Sequence, residues 1–353
     1  SPGEFYQLDF EMSFAAQEDV FRAGEEVLTA AFEHFAPEGF AVSKAPYPVI
    51  SYRQAMLEFG TDKPDLRNPL RIIDVTDFFQ KCEFKPFHQK TVRAIRVHEE
   101  MSKGFHEKLL QFAQSIGMAG LGYLEVGEDM SYKGPIDKFI PDELKGEMAR
   151  LADLKPGDTL FLIADKEARA AQLAGQIRTE LGNRLDICEK NAYRFCFVND
   201  FPMYEYDPEE KKLVFTHNPF SMPQGGLEAL LTKDPLEILA YQYDIVCNGV
   251  ELSSGAVRNH DLEIMVKAFS MAGYTEDELK TKFGALYQAF QFGAPPHAGM
   301  APGVDRIIML LRNEENIREI IPFPMNGNAQ DLMCNAPGEV TKMQLREVHI
   351  KLQ

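Results

Sequence analysis

Charged side chains in the carboxyl-terminal half of the chain have types and spacing that suit the binding of a cation and an anion. The stretch YDIVCNGVELSSGAVRNH places Asp244 and Glu251 on either side of Asn248–Gly249, a strong hairpin signal, with Arg258 on the next extended piece. Two carboxylates brought together across a hairpin suit a hard cation such as Mg²⁺. An arginine among apolar strand residues matches a carboxylate or phosphate bidentately. The alternatives are two surface carboxylates near a turn, and a structural salt bridge between Arg258 and one of these acids.

A run of small residues and prolines, GAPPHAGMAPGVDRIIMLL (residues 293–311), leads directly into an apolar segment of helix length. Gly299 and Gly303 allow the backbone to approach a bulky group closely. Arg306 falls in the first turn of the predicted helix, where anions are favoured. A guanidinium there suits stacking on a purine or clamping a phosphate oxygen. The chain has no GxxxxGK(S/T) loop and no Rossmann fingerprint, so a nucleotide site here would be of another kind.

The first predicted element is a strand over residues 5–14, FYQLDFEMSF, which alternates with period two. Its apolar face consists of Tyr6, Leu8, Phe10, Met12 and Phe14. Its opposite face consists of Phe5, Gln7, Asp9, Glu11 and Ser13. Because the second face offers acceptors and one aromatic ring, we expect it to form the floor of a cleft for a cationic, hydrogen-bonding ligand. An edge strand with a solvated face is the alternative.

The elements that must position these residues suggest a division into three segments. Residues 1–73 begin with the strand and an amphipathic helix, and TDKPDLRNP (residues 61–69) is a turn-rich boundary. Residues 74–191 have a compact α/β pattern, with strands expected at 91–97, at 122–126 and up to Asp165, and they carry no nucleophile–base pair or phosphate loop. Residues 192–353 are strand-rich again and reach His217 in a proline-flanked loop, where a lone histidine is usually structural or solvated.

Composition narrows the class of protein. A chain of 353 residues with 45% hydrophobic residues can form two domains, or one domain with a large insertion. Its net charge of −17 does not indicate a nucleic-acid binder, so any RNA partner requires a local or external basic surface. Five scattered cysteines without a CxxC pair argue against a zinc site or a disulfide framework and suit a reducing cytoplasm. No apolar run has the length of a membrane span.

The order of these segments resembles a known enzyme family. Gly-small-Gly followed by Asp–Arg and an apolar helix resembles motif 3 of class II aminoacyl-tRNA synthetases, and GEFYQLDFEMSF resembles the second half of their motif 2. Together with GTDKPDLRNP, FTHNPF, NGVELSSGAVRNH and FPMNGNAQDLMCNAP, the match is to bacterial-type aspartyl-tRNA synthetases and covers essentially the whole chain. The resemblance implies an α+β fold, in which the class II antiparallel sheet is flanked by helices and an α/β GAD-like domain is inserted.

The resemblance also implies roles for individual residues. The ATP-binding residues would be Ser1, Phe5, Glu251, Gly303, Val304, Asp305 and Arg306, with Phe5 stacking on adenine. The aspartate-binding residues would be Gln7, Asp9, Glu11, His217 and Arg258, with Asp9 receiving the ammonium and Arg258 the side-chain carboxylate. Asp244 and Glu251 would hold Mg²⁺. Arg306, Glu251 and Arg258 would be the catalytic residues.

The implied function is ATP-dependent activation of L-aspartate to aspartyl-adenylate and transfer to tRNA(Asp), in a cytoplasmic enzyme that is a homodimer at full length. Charging of tRNA(Asn) as well stays open. The family's anticodon-binding domain, motif 1 and first half of motif 2 are not in the sequence, so we expect a fragment that does not aminoacylate alone. His217–Asn218 stands where the family often has His-His. The alternatives are another class II synthetase, for asparagine or lysine, a paralogue that acts without tRNA, or a non-catalytic interaction module.

Overall fold

A computed structural model describes residues 3–351. The strands are β1 Phe10–Ser13, β2 Ala41–Val42, β3 Val49–Ser51, β4 Ile72–Asp74, β5 Thr91–Val97, β6 Gly122–Val126, β7 Tyr132–Lys133, β8 Thr159–Asp165, β9 Ala192–Tyr193, β10 Phe195–Asn199, β11 Tyr204–Asp207, β12 Lys212–Phe215, β13 Gln242–Cys247, β14 Val250–Val257 and β15 His297–Met300. The helices are α1 Gln17–Phe35, α2 Tyr52–Glu58, α3 Thr76–Phe79, α4 Lys103–Ser115, α5 Asp142–Leu151, α6 Glu167–Arg184, α7 Gly226–Thr232, α8 Leu262–Met271, α9 Glu276–Lys282, α10 Gly284–Gln291, α11 Val304–Leu311 and α12 Lys342–Glu347.

The larger sheet within this range has the strand order β1-β15-β14-β13-β10-β3. Neighbouring strands are antiparallel except β3 and β10, which are parallel. The amphipathic helix α1 packs on this sheet, and its Phe21 ring stacks on Phe197 of β10 at a centroid distance of 3.8 Å. Leu28 and Phe32 of the same helix are fully buried. The sheet and α1 together form the core against which the candidate residues are placed.

A second sheet, of order β4-β5-β8-β6-β7, is formed by the chain between β3 and β10, and all its pairs are antiparallel. Strands β5 and β6 confirm the predicted strands at 91–97 and 122–126. Helix α6 covers one face of this sheet with Leu173, Ile177 and Leu181. We propose that this sheet and its helices are the inserted unit expected at residues 74–191, with the first strand, β4, beginning at Ile72.

The first strand is shorter than predicted. Regular pairing with β15 covers Phe10–Ser13, although Gln7 also forms a bridge with Gly303. Of the expected buried face, Phe10 and Met12 pack against the core, whereas Tyr6, Leu8 and Phe14 are 73%, 47% and 80% exposed. The physical reason is that β1 lies at the edge of the described sheet, and Phe14 turns the backbone away with a φ of 56°. The strand expected over residues 5–14 is therefore regular only at Phe10–Ser13, and its position at the sheet edge agrees with the edge-strand alternative.

None of the helices in residues 3–351 combines the length and the apolar character that a membrane span requires.

Candidate active site

Three segments that are distant in sequence meet beside the amino terminus of α11. The amide of Gly303 donates to the Leu252 carbonyl at 2.8 Å, and the amide of Val304 donates to the Tyr6 carbonyl at 2.9 Å. A hollow of about 320 Å³ lies at this junction. Its lining includes Phe5, Tyr6, Gln7, Glu251, Leu252, Ser253, Ser254, Ala301, Gly303, Asp305 and Arg306. The junction therefore brings most of the residues expected to bind ATP to one place, while Ser1 lies outside the described residues.

Arg306 and Asp305 hold this junction from opposite sides. The Arg306 Nη1 donates to the Glu251 backbone carbonyl at 2.6 Å and lies 3.5 Å from the Glu251 Oε1. The Asp305 Oδ2 accepts from the amide of Tyr6 at 3.0 Å. An Asp–Arg pair at the start of α11 therefore joins the first segment of the chain to β14. Because the Arg306 side chain is still 45% exposed, its guanidinium is open to an anionic or aromatic ligand in the hollow.

The predicted hairpin brings two carboxylates to one cation. Asn248 and Gly249 adopt φ values of 52° and 82° between β13 and β14, as a two-residue hairpin turn requires. The Lys63 Nζ lies 3.2 Å from the Glu251 Oε2 and 3.8 Å from the Asp244 Oδ2. Burial raises the pKa of Asp244 to about 8, and the Glu251 charge adds to this increase while Lys63 opposes it. The three side chains are thus one electrostatic unit.

Lys63 is the residue that sequence reasoning missed. Its segment, TDKPDLRNP, predicts a turn-rich boundary and contributes to the family resemblance, but neither observation assigns a role to the lysine. A single lysine in a polar loop is normally a solvated charge, and no local pattern shows that it lies against acids far along the chain.

The donor set at Asp244 and Glu251 fits a divalent cation that is shared with a ligand. Both carboxylates lie within 4.0 Å of the same ammonium, so Lys63 marks a position that a cation can occupy between them. Mg²⁺ commonly binds one or two protein carboxylates together with substrate phosphates. No group of three or more histidine, cysteine, aspartate or glutamate side chains suited to a metal occurs in the described part of the chain. The pair alone would therefore hold such a cation weakly, and a cation that also contacts phosphate more tightly.

Arg258 is paired, but with a different acid from those expected. Its Nε and Nη2 both donate to the Glu11 Oε1, at 2.9 and 2.5 Å. The salt bridge to Asp244 or Glu251, considered as an alternative, is not formed. Glu11 crosses over Gly299, where an added Cβ would lie 2.5 Å from the Glu11 Cδ and 2.2 Å from the Phe10 carbonyl oxygen. The absent side chain at Gly299 therefore makes room for protein atoms, whereas a Cβ at Gly303 would have only ordinary contacts, the nearest at 3.7 Å.

Asp9 and His217 are not brought to the hollow. Asp9 is exposed, and its carboxylate has no partner within residues 3–351. His217 lines a neighbouring cleft of about 370 Å³ together with Gly60, Thr61 and Asp62. Partial desolvation lowers the pKa of His217, and the nearby Lys63 lowers it further. If the implied roles hold, Asp9, Glu251 and Arg306 should converge on one site, but only Glu251 and Arg306 are in contact. The roles of Asp9 and His217 stay predictions.

Comparison with known proteins identifies the family. The sequence model described as "tRNA synthetases class II (D, K and N)" matches residues 1–327. Aspartate--tRNA ligase of Streptomyces avermitilis is 52% identical over 355 residues, which cover 100% of this chain and 60% of that protein. Aspartate--tRNA(Asp/Asn) ligase of Zymomonas mobilis is 53% identical over 361 residues, with the same coverage. The chain thus spans about 60% of the length of these curated relatives.

A solved structure, asparaginyl-tRNA synthetase of Entamoeba histolytica in complex with asparaginyl-adenylate, matches with a TM-score of 0.41 and 14% identity, over 92% of this chain and 48% of that one. This similarity is too distant to support an argument about the site. The family match over residues 1–327 is sufficient by itself, and the sheet flanked by helices is the fold expected of that family. The chain belongs to the class II tRNA synthetases of the D, K and N group.

Proposed function

We propose that this chain carries the greater part of the catalytic region of an aspartate–tRNA ligase, which uses ATP, L-aspartate and tRNA(Asp). The observation that carries the proposal is the junction at which Arg306, Glu251 and Gly303 border one hollow beside Phe5. Its volume of about 320 Å³ lies within the usual range for small-ligand sites. The curated relatives, about half identical over the whole chain, support the choice of aspartate.

The proposed reaction needs no protein nucleophile. The α-carboxylate of aspartate attacks the α-phosphorus of ATP in line, so that aspartyl-adenylate forms and pyrophosphate leaves. A hydroxyl of the terminal adenosine of tRNA then attacks the acyl carbon and displaces AMP. Both steps depend on positioning and on stabilisation of charge at phosphate and carboxylate oxygens. Arginines can supply that stabilisation, and Arg306 contacts Glu251 near the start of β14 while Arg258 follows the end of that strand.

On the ATP side, each residue has a defined task. Phe5 stacks on the adenine, and Arg306 contacts the purine and a phosphate oxygen from the start of α11. Asp305 keeps the segment with Phe5 in place through the amide of Tyr6. Asp244 and Glu251 would hold Mg²⁺, which when bound neutralises phosphate charge. Gly303 leaves space for the ligand along the wall of the hollow, and the Val304 amide joins this wall to the Tyr6 carbonyl.

On the aspartate side, Arg258 is the proposed determinant of specificity. Its Nε and Nη2 are occupied by Glu11, which fixes the plane of the guanidinium and leaves Nη1 without a partner within residues 3–351. A carboxylate ligand can pair with that nitrogen, while Gln7 and Asp9 would receive the ammonium and His217 would close over the substrate. The neutral amide of asparagine would leave that nitrogen poorly paired, at a cost of roughly a few kcal/mol.

ATP–pyrophosphate exchange by the complete natural protein tests the proposal, with aspartate, asparagine and lysine offered separately. We expect exchange with aspartate, and its loss in Arg258→Leu. Exchange with asparagine or lysine alone would reject the assignment. Because relatives named for tRNA(Asp) and for tRNA(Asp/Asn) are similarly identical to this chain, charging of both tRNAs should be measured in the same protein.

Two further properties belong to the same proposal. We expect the complete protein to be a homodimer in the cytoplasm, as the resemblance implies. Light scattering on the complete protein measures the first property, and cell fractionation the second. A non-catalytic interaction module is disfavoured because Asp244, Glu251 and Arg306 are all present and lie together.

A further inference from the structure

The loop that carries Lys63 is held from both sides. We call residues 60–71 the bridging loop. Gly60 touches Gly175 of α6, since a Cβ on Gly60 would lie 2.6 Å from the Gly175 Cα, and a Cβ on Gly175 would lie 2.6 Å from the Gly60 carbonyl oxygen. On its other side the loop passes the β13–β14 hairpin, where a Cβ on Gly249 would lie 3.5 Å from the Asp65 Cβ. The bridging loop is therefore packed between the second sheet unit and the turn between the two candidate carboxylates.

Arg178 of α6 binds this loop through its backbone. Its Nε donates to the Leu70 carbonyl at 2.8 Å, and its Nη2 donates to the Asn68 and Asp65 carbonyls at 2.8 and 3.0 Å. The Asn68 side-chain amide donates in return to the Arg178 carbonyl at 3.0 Å. Arg178 is buried and has no carboxylate within 4.0 Å among the described ion pairs, so its charge is satisfied by these carbonyls. Charge-assisted bonds of this kind fix loop geometry well.

The geometry of the loop determines where the Lys63 ammonium lies. Lys63 pairs with Asp62 beside it in the loop and reaches Glu251 and Asp244 on the hairpin. From α11, the Arg306 guanidinium faces the other oxygen of Glu251. Glu251 is therefore placed between two cations, one from the bridging loop and one from α11. A dication that binds Glu251 and Asp244 must displace or repel the Lys63 ammonium at 3.2 Å.

We propose that Lys63 is a built-in counter-cation that competes with a divalent cation for Asp244 and Glu251, and that Arg178 of α6 positions it there. The second sheet unit thereby sets the cation affinity of the candidate active site. This inference rests on the proposed cation site but not on the identity of the amino acid. It makes Arg178 a positioning residue, because it acts through the bridging loop and touches neither carboxylate.

The competition between Lys63 and a divalent cation is tested by measuring Mn²⁺ binding to the 353-residue chain. Binding is detected as a loss of the free-ion signal in electron paramagnetic resonance. We expect Lys63→Met to bind Mn²⁺ about tenfold more tightly than the wild type, since the competing charge is gone. Lys81→Met is the matched control, because Lys81 also pairs with a glutamate, Glu147 at 2.7 Å, but in the second sheet unit. Its affinity should equal that of the wild type. Asp244→Asn identifies the site by losing the binding.

The role of α6 is tested with Arg178→Gln. We expect its Mn²⁺ affinity to rise toward that of Lys63→Met, the double variant to show no further rise, and amides of residues 61–68 to exchange hydrogen faster. Arg169→Gln is the control, since the Arg169 Nη2 donates to the Ile116 carbonyl at 2.8 Å within the same unit. It should leave affinity and loop exchange unchanged. If Arg178→Gln loses the native circular dichroism spectrum, Arg178→Lys replaces it in the same measurements.

Three results overturn parts of the inference separately. Equal or weaker Mn²⁺ affinity in Lys63→Met excludes Lys63 as a competitor. If a folded Arg178 variant binds Mn²⁺ with the wild-type affinity while Lys63→Met binds it more tightly, α6 does not position Lys63. Mn²⁺ binding that Asp244→Asn does not reduce, or no binding in any variant, rejects the proposed cation site and with it the counter-cation, while aspartate-dependent exchange by the complete protein stays a separate question.

Discussion

The backbone carbonyl and the side-chain carboxylate of Glu251 have separate roles. Its backbone carbonyl accepts a hydrogen bond from Arg306, while its carboxylate lies between Arg306 and Lys63. A substitution of the side chain therefore removes a charge without removing the bond that joins α11 to β14. This separation allows the contribution of the carboxylate to be measured in a folded protein.

We predict that Glu251→Gln weakens binding of Mg²⁺–ATP by about tenfold or more, because the lost charge is one of the two cation ligands. The melting temperature should stay close to that of the wild type, since the Arg306 bond to the backbone carbonyl remains. Calorimetric titration of the complete natural protein checks the affinity. The exposed Glu237→Gln is the control, and equal affinity in both variants would contradict the assignment.

His217 provides a pH-dependent prediction at the same scale. Desolvation and then the Lys63 charge lower the pKa of its imidazole below 6.5. In Lys63→Met the imidazole should titrate at higher pH, since the Lys63 charge no longer adds to desolvation in lowering its pKa, while Asp62, Glu251 and Glu205 still raise it. NMR titration of the His217 ring measures the change directly, and an unchanged or lower value would contradict the placement of Lys63.

Proton linkage determines how the lowered pKa of His217 affects the stability of the fold as the pH changes. The folded protein binds a proton at His217 less readily than the unfolded chain, whose histidine titrates near 6.5. The contribution of this residue is therefore fully present above pH 6.5 and falls as the pH decreases through the folded pKa. His217→Gln should show a weaker loss of melting temperature on acidification than the wild type.

At the scale of elements, two glycines of the same segment have opposite requirements. Gly299 is surrounded by protein atoms, while Gly303 has room for a side chain. Gly299→Ala should therefore lower the free energy of unfolding by about 1–3 kcal/mol, since it separates β1 from β15 and displaces Glu11 from Arg258. Denaturant unfolding measures the loss, and a variant as stable as the wild type would be unexpected.

Gly303→Ala should behave in the reverse way. Its φ of −78° suits alanine, and we expect its free energy of unfolding to change by less than about 1 kcal/mol. Because Gly303 lines the hollow, the added methyl group should weaken ATP binding by the complete protein. A pattern in which Gly299→Ala affects binding alone and Gly303→Ala affects stability alone would contradict the proposed geometry.

The elements also show what sequence patterns can and cannot predict. The hairpin at Asn248–Gly249 and strands β5 and β6 were predictable because turn chemistry and β-branched runs are local signals. The helical spacing of Val20, Gly24, Val27, Leu28, Ala31 and Phe35 predicts helix α1. Val20, Gly24 and Leu28 of that face are buried, whereas Val27 and Phe35 are exposed and Phe32 is buried instead. Two overlapping faces of this helix are apolar, and packing against the sheet determines which of them is buried. The contact of Lys63 with Glu251 has no local signal at all.

At the scale of the whole molecule, charge limits what this chain can bind by itself. With a net charge of −17, we predict that the 353-residue chain shows no measurable tRNA affinity at physiological salt, because phosphate contacts need clustered basic side chains. Filter binding with tRNA(Asp) checks this, with the complete natural protein as the positive control. Comparable affinity of the two proteins would show a local basic surface on this chain.

The assignment of function came from the order of motifs over the whole chain rather than from any one residue. Motif order predicted the family and the meeting of Arg306 with Glu251, which the structure contains. It could not predict that Glu11 would be the partner of Arg258, because that contact depends on the register of β1 and β15 across Gly299. Long-range register is set by the complete sheet, and a linear pattern carries little information about it.

The chain segments that enter and leave the second sheet unit lie next to each other. The Glu189 amide donates to the Arg67 carbonyl at 2.9 Å, and the Asn68 side chain touches Gly182 near the end of α6. The two ends of the unit are thus neighbours, and the strands they connect, β3 and β10, are already paired. Because these ends are neighbours, gain or loss of the unit during evolution would not require any strand of the larger sheet to change its order.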